Sequence, residues 1–195
     1  MEEFSTPQRF AATDTPPARV LLLGHRSLRQ PCSSVIDRDT ETFESACRQL
    51  VSTLEHFRAS AGFGRGIAAP QIGIPVRLIA LNLGTGPFLL CNPRVTLLSD
   101  RKFTMWDDCM SFPWLLVRLQ RHRDITLQFE DHLGNTHVWT RPEPSTAELV
   151  QHEVDHLDGI LALDRAQDAQ SLLARDLYDE NRAEYDGQVD YVIGG

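Results

Sequence analysis

The feature that most constrains this chain is a pair of histidines four residues apart, His152 and His156, within the segment 151–159. A helix advances about 100° per residue, so both imidazoles fall on one helix face, close enough to share a cation. Glu153 follows the first histidine, where a carboxylate can reach a water on a metal without binding the metal itself. This spacing predicts a metal-binding helix with hydrolytic chemistry, although two histidines at this spacing also occur on ordinary helix faces.

The sequence also indicates where this helix begins and ends. The residues Ser-Thr-Ala-Glu at 145–148 have the pattern of a capping box, and Pro142 and Pro144 precede them. Gly159 is a typical stop signal. We therefore expect the helix to begin near Ser145 and to end near Gly159.

The identity of a third ligand decides the class of enzyme, because catalytic zinc-type sites use three protein ligands and leave one position open. One common metallopeptidase pattern adds a glycine and a third histidine, and Gly159 fits the glycine. The histidine position holds Ala162, so that pattern lacks its ligand here. The remaining donors are a downstream carboxylate, such as Asp176 or Glu180, or a residue upstream of the helix.

Length and charge limit the function classes. The 195 residues, 42% of them hydrophobic, suit one globular domain, and the net charge of -8 argues against nucleic-acid and anionic-membrane surfaces. The chain shows no signal segment, which favours the cytoplasm. The cysteines have no close pair spacing and are expected to be thiols, three of them in the core. They are Cys32, Cys47, Cys91 and Cys109.

The chain divides into three predicted parts: a flexible N-terminal extension (1–17), a catalytic domain (18–166) and a helical, polar C-terminal tail (167–195). Apolar residues recur at helical spacing from about 39 to 61, which predicts a core helix.

Two pairs of strands are predicted in the middle of the chain. The segments 76–81 and 88–98 are apolar and β-prone, and glycines between them indicate a hairpin. The segment 125–130 alternates apolar and polar residues, and a turn leads from it into a partner strand that runs through Trp139. Antiparallel strands followed by one buried helix indicate an α+β fold, with antiparallel sheets packed around the metal-binding helix.

A cysteine between these strand pairs is a candidate for the third ligand. A thiolate binds divalent transition metals strongly, so Cys109 would complete a Cys-His-His set with one open position. With this residue, three segments of the chain resemble the signatures of the peptide deformylase family. The glycine-rich Gly64–Gln71 matches its Gly-x-Gly-apolar-Ala-Ala-x-Gln loop, 107–111 lies where the family has Glu-Gly-Cys-Leu-Ser, and Gln151–His156 matches its Gln-His-Glu-x-Asp-His helix.

The resemblance implies the activity of a metal-dependent hydrolase that removes the formyl group of N-formyl-methionine from nascent polypeptides. It implies one divalent metal ion, most simply Fe²⁺, for which Zn²⁺, Ni²⁺ or Co²⁺ can substitute. The implied site residues are the metal ligands Cys109, His152 and His156, the acid/base Glu153, the oxyanion donors Gln71 and the Met110 backbone N–H, and the substrate-binding residues Gly64, Arg65, Gly66, Asp108 and Met110.

This chain departs from the family in the second segment. Asp107 and Asp108 stand where the family has Glu and Gly, and Met110 stands for Leu. Asp107 is one methylene shorter, so a hydrogen bond that it accepts, for example from Arg121, must be re-aimed. Asp108 is expected to place a carboxylate beside the substrate groove. Ser145 occupies a position where much of the family has a larger apolar residue.

Three alternatives remain open. The first is an amidohydrolase of the same fold that acts on another formamide, such as a small metabolite. The second is a catalytically weak binding homologue, and the third is a metallopeptidase that uses a carboxylate ligand. The expected partners are an N-formylated peptide and, transiently, the ribosome, with no nucleic acid and no membrane, and the expected state is a monomer or a weak homodimer.

Overall fold

The computed structural model describes residues 7–11 and 14–193, over which the chain forms eight strands and four α-helices. The strands are β1 (Gly66–Ala68), β2 (Leu78–Leu81), β3 (Phe88–Leu98), β4 (Lys102–Asp108), β5 (Leu115–His122), β6 (Ile125–Glu130), β7 (Thr136–Thr140) and β8 (Leu172–Ala174). The helices are α1 (Glu41–Ala61), α2 (Pro144–Leu157), α3 (Arg175–Glu180) and α4 (Arg182–Asp186).

The strands form two antiparallel sheets. The first has the order β1-β2-β3-β6-β7 and contains both predicted hairpins, β2–β3 and β6–β7. The second has the order β4-β5-β8. Helix α2 contacts β1 and β3 of the first sheet and β5 of the second. The predicted α+β class, with antiparallel sheets around one central helix, is confirmed.

The second sheet was not predicted from the sequence. Strand β5 places Val117, Leu119 and Arg121 on its buried face, and a buried arginine breaks the apolar alternation by which a strand is recognised. Strand β8 is only three residues long and lies in the tail that we expected to be helical and polar.

The first helix follows its prediction closely. The hydroxyl of Thr40 accepts a hydrogen bond from the backbone N–H of Phe43, and this N-cap satisfies one free donor of the first turn. The helix ends at Gly62, whose φ of 75° is the left-handed conformation that glycine adopts without strain.

The predicted capping box of α2 is wrong. The helix begins one residue earlier, with Pro144 in its first turn and Glu143 as an N-cap that makes no side-chain cap bond. The fixed φ of Pro144 starts the helix, because proline fits the first helical position. Ser145 therefore lies inside the helix, and Glu148 binds Arg65 instead of capping. The predicted stop at Gly159 holds, since Asp158 is the C-cap and Gly159 has a φ of 74°.

Helix α2 is buried on nearly all sides. Its apolar residues pack on the first sheet, where the shared core contains Ile79, Leu81, Leu90, Phe129, Trp139, Ala147, Leu149, Val150, Val154 and Leu157. The polar residues of the helix are buried as well, with His152, Glu153 and His156 between 1% and 6% exposed. A helix that is buried on its polar face must place those groups on specific partners.

The ends of the described chain contact the domain. Arg9 forms a β-bridge with Phe88, and Phe10 packs against the α1 side of the core. At the other end Asp190 and Tyr191 hydrogen bond to Thr104 on β4. The division into extension, domain and tail remains a prediction, and part of the extension lies outside the described residues. No helix in the described ranges is long and apolar enough to span a bilayer.

Candidate metal centre and active-site groove

Three buried donor side chains converge at the centre of the molecule. The ligand atoms of Cys109, His152 and His156 all lie within 4.8 Å of one another. The Sγ of Cys109 is 3.3 Å from Nε2 of His156, which is 3.2 Å from Nε2 of His152. Cys109 follows β4 directly, and the histidines lie one turn apart on α2, so the contact between sheet and helix sets these distances.

The donor set fits a transition metal. A tetrahedral ion bonded to nitrogen at about 2.0–2.1 Å and to thiolate at about 2.3 Å separates its ligand atoms by roughly 3.3 to 3.6 Å. The two distances from His156 to the other donors, 3.3 and 3.2 Å, are close to this. Two imidazoles and a thiolate also form a donor set that favours zinc, iron and similar ions over magnesium and calcium.

A buried hydrogen-bond network orients His152. Its Nδ1 lies 3.0 Å from the carboxylate of Asp107, which leaves Nε2 facing the other donors. Arg121 donates to Asp107 at 2.8 Å and to Asp155 at 2.5 Å. Arg165 also donates to Asp155 at 2.5 Å. The predicted contact of the shorter Asp107 with Arg121 is therefore confirmed, and it links the histidine to a fixed guanidinium.

The two histidines differ in their electrostatics. Burial would lower the pKa of His152, but the Asp107 carboxylate outweighs it and holds this pKa well above its ordinary value. Burial, with the charge of His152, lowers the pKa of His156 well below its ordinary value. Because a metal ligand must be free of its proton, a cation that binds His152 displaces a proton there.

Glu153 lies beside the donors and points into the groove. It is 3% exposed, and burial raises its pKa to about 7, although His152 acts in the opposite direction. Its Oε2 has no hydrogen-bond partner among the described residues, so this oxygen is free for a water or a substrate. A Cβ on Gly66 would lie 2.7 Å from its Oε1, so a glycine is needed where the loop meets this carboxylate.

Gln71 presents its amide nitrogen to the same centre. Its Oε1 accepts the backbone N–H of Ala68 at 2.8 Å, which sets the direction of the amide. Its Nε2 then lies 3.7 Å from the Sγ of Cys109 and 3.2 Å from the Oγ of Ser111. The amide N–H groups can therefore donate to an oxygen held near the sulfur.

A groove with a volume of about 820 Å³ opens onto the donors. Its lining includes all five predicted substrate-binding residues, which are Gly64, Arg65, Gly66, Asp108 and Met110. A Cβ on Gly64 would lie 2.5 Å from the methyl carbon of Met110, so the loop and the residue after the cysteine are in close contact.

Two arginines in the groove pair with carboxylates. Asp108 lies at the groove, as predicted, and Arg175 from α3 donates to it at 2.7 Å while lying over the ring of Phe63. Arg65 from the loop pairs with Glu148 on α2. Arg175 and Glu148 were missed in the sequence because each is far along the chain from its partner, and no local pattern connects them.

The other predicted ligand candidates are not part of this centre. Asp176 and Glu180 lie exposed on α3, outside the group of converging donors. The predicted state of the cysteines is confirmed, since all four are free thiols.

Comparison with known proteins agrees with this geometry. The family model described as polypeptide deformylase matches residues 17–171. The peptide deformylase of Thermotoga maritima is 31% identical over 157 residues, which cover 80% of this chain and 92% of the relative. The peptide deformylase of Synechococcus sp. strain CC9605 is 32% identical over 166 residues, with 83% and 79% covered.

Solved structures have the same architecture. The peptide deformylase from Synechococcus elongatus in complex with actinonin superimposes with a TM-score of 0.73 at 29% identity, covering 88% of this chain and 91% of the other. The enzyme from Thermotoga maritima has a TM-score of 0.71 at 27% identity, with 79% and 100% covered. From the extent of the family match, the shared fold and the three converging donors, we conclude that this chain belongs to the polypeptide deformylase family.

Proposed function

We propose that the chain removes the N-formyl group from formyl-methionine at the start of nascent polypeptides and releases formate. The observation that carries this proposal is the placing of Glu153 and Gln71 around the buried donors Cys109, His152 and His156. The relatives from Thermotoga and Synechococcus bear the name peptide deformylase, which supports the same reaction here.

The three donors would hold one divalent ion. We propose Fe²⁺, with Zn²⁺, Ni²⁺ or Co²⁺ able to substitute, because a thiolate with two imidazoles accepts all of these ions. When bound, the ion supplies Lewis acidity to the formyl carbonyl and to water. Asp107 contributes by fixing the ring of His152, and a fixed ring keeps its Nε2 directed at the cation.

Glu153 moves the protons of the reaction. A formamide is hydrolysed when water adds to the formyl carbon and the C–N bond breaks, and the amine leaves only after its nitrogen is protonated. The unpartnered Oε2 of Glu153 can take the proton from the attacking water and return it to that nitrogen. The raised pKa suits both transfers, because the group can hold and release a proton near neutral pH.

Gln71 and the backbone N–H of Met110 stabilise the oxygen of the formyl group as it gains charge. Two fixed donors near that oxygen lower the barrier, because they need no reorganisation when the charge develops. The bond from Ala68 to the Gln71 carbonyl keeps the amide N–H groups directed at this position.

The proposal also covers the cellular compartment, the oligomeric state and the partners of the enzyme. We place it in the cytoplasm, as a monomer or weak homodimer that meets N-formylated peptides during transient contact with the ribosome. The four free thiols support a reducing compartment.

Metal analysis of protein purified without oxygen, combined with a formate-release assay on a formyl-methionyl peptide, tests this proposal. We expect one ion per chain, formate release, and inactivation in air of the iron form but not of the nickel form, since iron on a thiolate is open to oxidation. Absence of formate release from metal-loaded protein would overturn the proposed function. Equal half-lives of the two forms in air would overturn only the assignment of iron.

A further inference from the structure

One wall of the groove, next to Glu153, carries an ion pair between a partly exposed arginine and a buried glutamate. One terminal nitrogen of Arg65 donates to the backbone oxygen of Ser145 at 2.6 Å, and the other pairs with the carboxylate of Glu148. Glu148 is 1% exposed. Arg65 directly precedes Gly66, against which Glu153 lies, so the pair is adjacent to the carboxylate that handles the substrate protons.

The C-terminal segment completes this wall. The backbone N–H of Tyr191 donates to the carbonyl oxygen of Thr104 at 3.1 Å, and the Asp190 carboxylate accepts from the Thr104 backbone N–H at 2.9 Å. These bonds hold Tyr191 along the edge of β4, where it lines the groove together with Trp106. The wall therefore combines aromatic surfaces with the polar groups of Arg65 and Glu148.

The position of the wall identifies the part of the substrate that meets it. The formamide nitrogen must reach Glu153 to receive its proton, and the first Cα of the peptide is bonded to that nitrogen. The side chain on this Cα begins within two bonds of the reacting amide. A groove wall adjacent to Glu153 is therefore placed to contact that first side chain.

An apolar side chain is poorly matched to this wall. Glu148 is already buried, but the Arg65 side chain is 25% exposed. A thioether placed over Arg65 removes water from its guanidinium and returns no hydrogen bond, and an uncompensated polar group is costly to bury. Arg65 uses two of its five N–H groups in the bonds given above, so it can donate to another acceptor. A neutral side chain with an acceptor oxygen can bond to Arg65 without adding a net buried charge.

We propose that this wall is a side-chain subsite that favours a neutral hydrogen-bonding side chain, such as a carboxamide, over the thioether of methionine. The inference rests on the deformylase activity proposed above and concerns the rank of substrates, not the reaction. The residues that set the rank are Arg65 and Glu148.

A matched pair of substrates tests the inference. Two formyl peptides that differ only in the first residue, glutamine or methionine, have first side chains of nearly the same length and shape. The kcat/KM for formate release by the metal-loaded parent enzyme should favour glutamine by about tenfold or more, because a site that bonds a polar group discriminates against its apolar analogue. A norleucine peptide should rank with methionine.

Replacing the pair should reverse the rank. In the double variant Arg65→Leu with Glu148→Leu, methionine and norleucine should exceed glutamine. The control is Arg38→Leu with Glu130→Leu, which removes an ion pair outside the groove lining and should keep the rank of the parent.

The outcomes separate this inference from the proposed function. Formate release with methionine equal to or above glutamine in the parent would overturn the subsite and leave the deformylase activity intact. An unchanged rank in a folded double variant would also overturn the role of the pair. If that variant does not fold, the rank in the parent decides alone. Absence of formate from every peptide would overturn the proposed function itself.

Discussion

At the scale of single residues, proton transfer and metal binding are assigned to different side chains. Glu153→Ala should keep the metal, because Glu153 is not among the converging donors, but it should lose the group that both accepts and returns the proton. General acid–base groups contribute about 10²–10⁴-fold, and a residue with both roles should reach the upper part of that range. Metal content and kcat, measured on the same preparation, show whether the variant keeps its metal while losing activity.

Two further variants serve as comparisons for Glu153→Ala. His152→Ala should lose the metal itself, and Gln71→Ala should keep it and lose about 10²–10³-fold in kcat, as for one oxyanion donor. A metal-loaded Glu153→Ala enzyme within about tenfold of the parent would contradict the role given to this carboxylate.

The proposed ligand Cys109 can be tested separately. Cys109→Ser replaces a soft thiolate with a neutral hydroxyl, so we expect weaker metal binding and a shift away from thiolate-preferring ions. Competition with a metal chelator measures the affinity, and Cys47→Ser is the control because Cys47 packs in a separate core cluster. Equal affinities of the Cys109→Ser variant and the parent would remove Cys109 from the ligand set.

The residues that converge were largely predictable, because their spacing reports helix geometry and their types report metal chemistry. His152, His156 and Cys109 lie together as expected, and so do Asp107 and Arg121. The partners that escaped prediction are joined only by tertiary packing. Arg65 and Glu148 are 83 positions apart, and nothing local in either segment indicates the other.

At the scale of elements, the turn after α2 depends on Gly159. Its φ is +74°, and an added Cβ would lie 2.8 Å from the backbone carbonyl of Arg29. Gly159→Ala should therefore combine backbone strain with a clash against rigid main chain, and should lower the free energy of unfolding by about 2 kcal/mol or more.

Gly134 provides a matched control for that measurement. Its φ is +89°, but a Cβ there would have nothing within 4 Å, so Gly134→Ala should cost only the backbone strain, about 1 kcal/mol. Urea unfolding of both variants gives the comparison. Equal losses of stability would show that the contact with Arg29 carries no energy.

Elements with an unbroken apolar period were predictable, and the others were not. Helix α1 and the hairpins β2–β3 and β6–β7 appear as expected. Strand β5 was missed because Arg121 occupies its buried face, where it serves the metal-site network. The start of α2 was misplaced because Pro144, rather than a capping side chain, begins the helix.

At the scale of the whole molecule, buried carboxyl groups beside the groove make stability depend on pH. Burial raises the pKa of Glu148 from an ordinary 4.5 to about 7, although Arg65 opposes this. Between these values the folded state holds more protons than the unfolded state, so stability should fall as pH rises through the window from about 4.5 to 7. The contribution is up to about 3 kcal/mol.

Urea unfolding of metal-free protein across that window checks the sign. The parent should lose stability as pH rises, and Glu148→Gln should lose less, because an amide does not ionise. Glu44→Gln, which changes an exposed carboxyl on α1, is the control. A Glu148→Gln variant with the full slope of the parent would contradict this contribution.

The most direct measurement of the central claim is formate release from a formyl-methionyl peptide by one preparation in three states: metal-free, reloaded with Fe²⁺ or Ni²⁺, and reloaded after Glu153→Ala. We expect the reloaded parent to release formate and new free amine in equal amounts, and the other two states to release little. Equal formate release with and without metal, or none from the reloaded parent, would contradict this expectation.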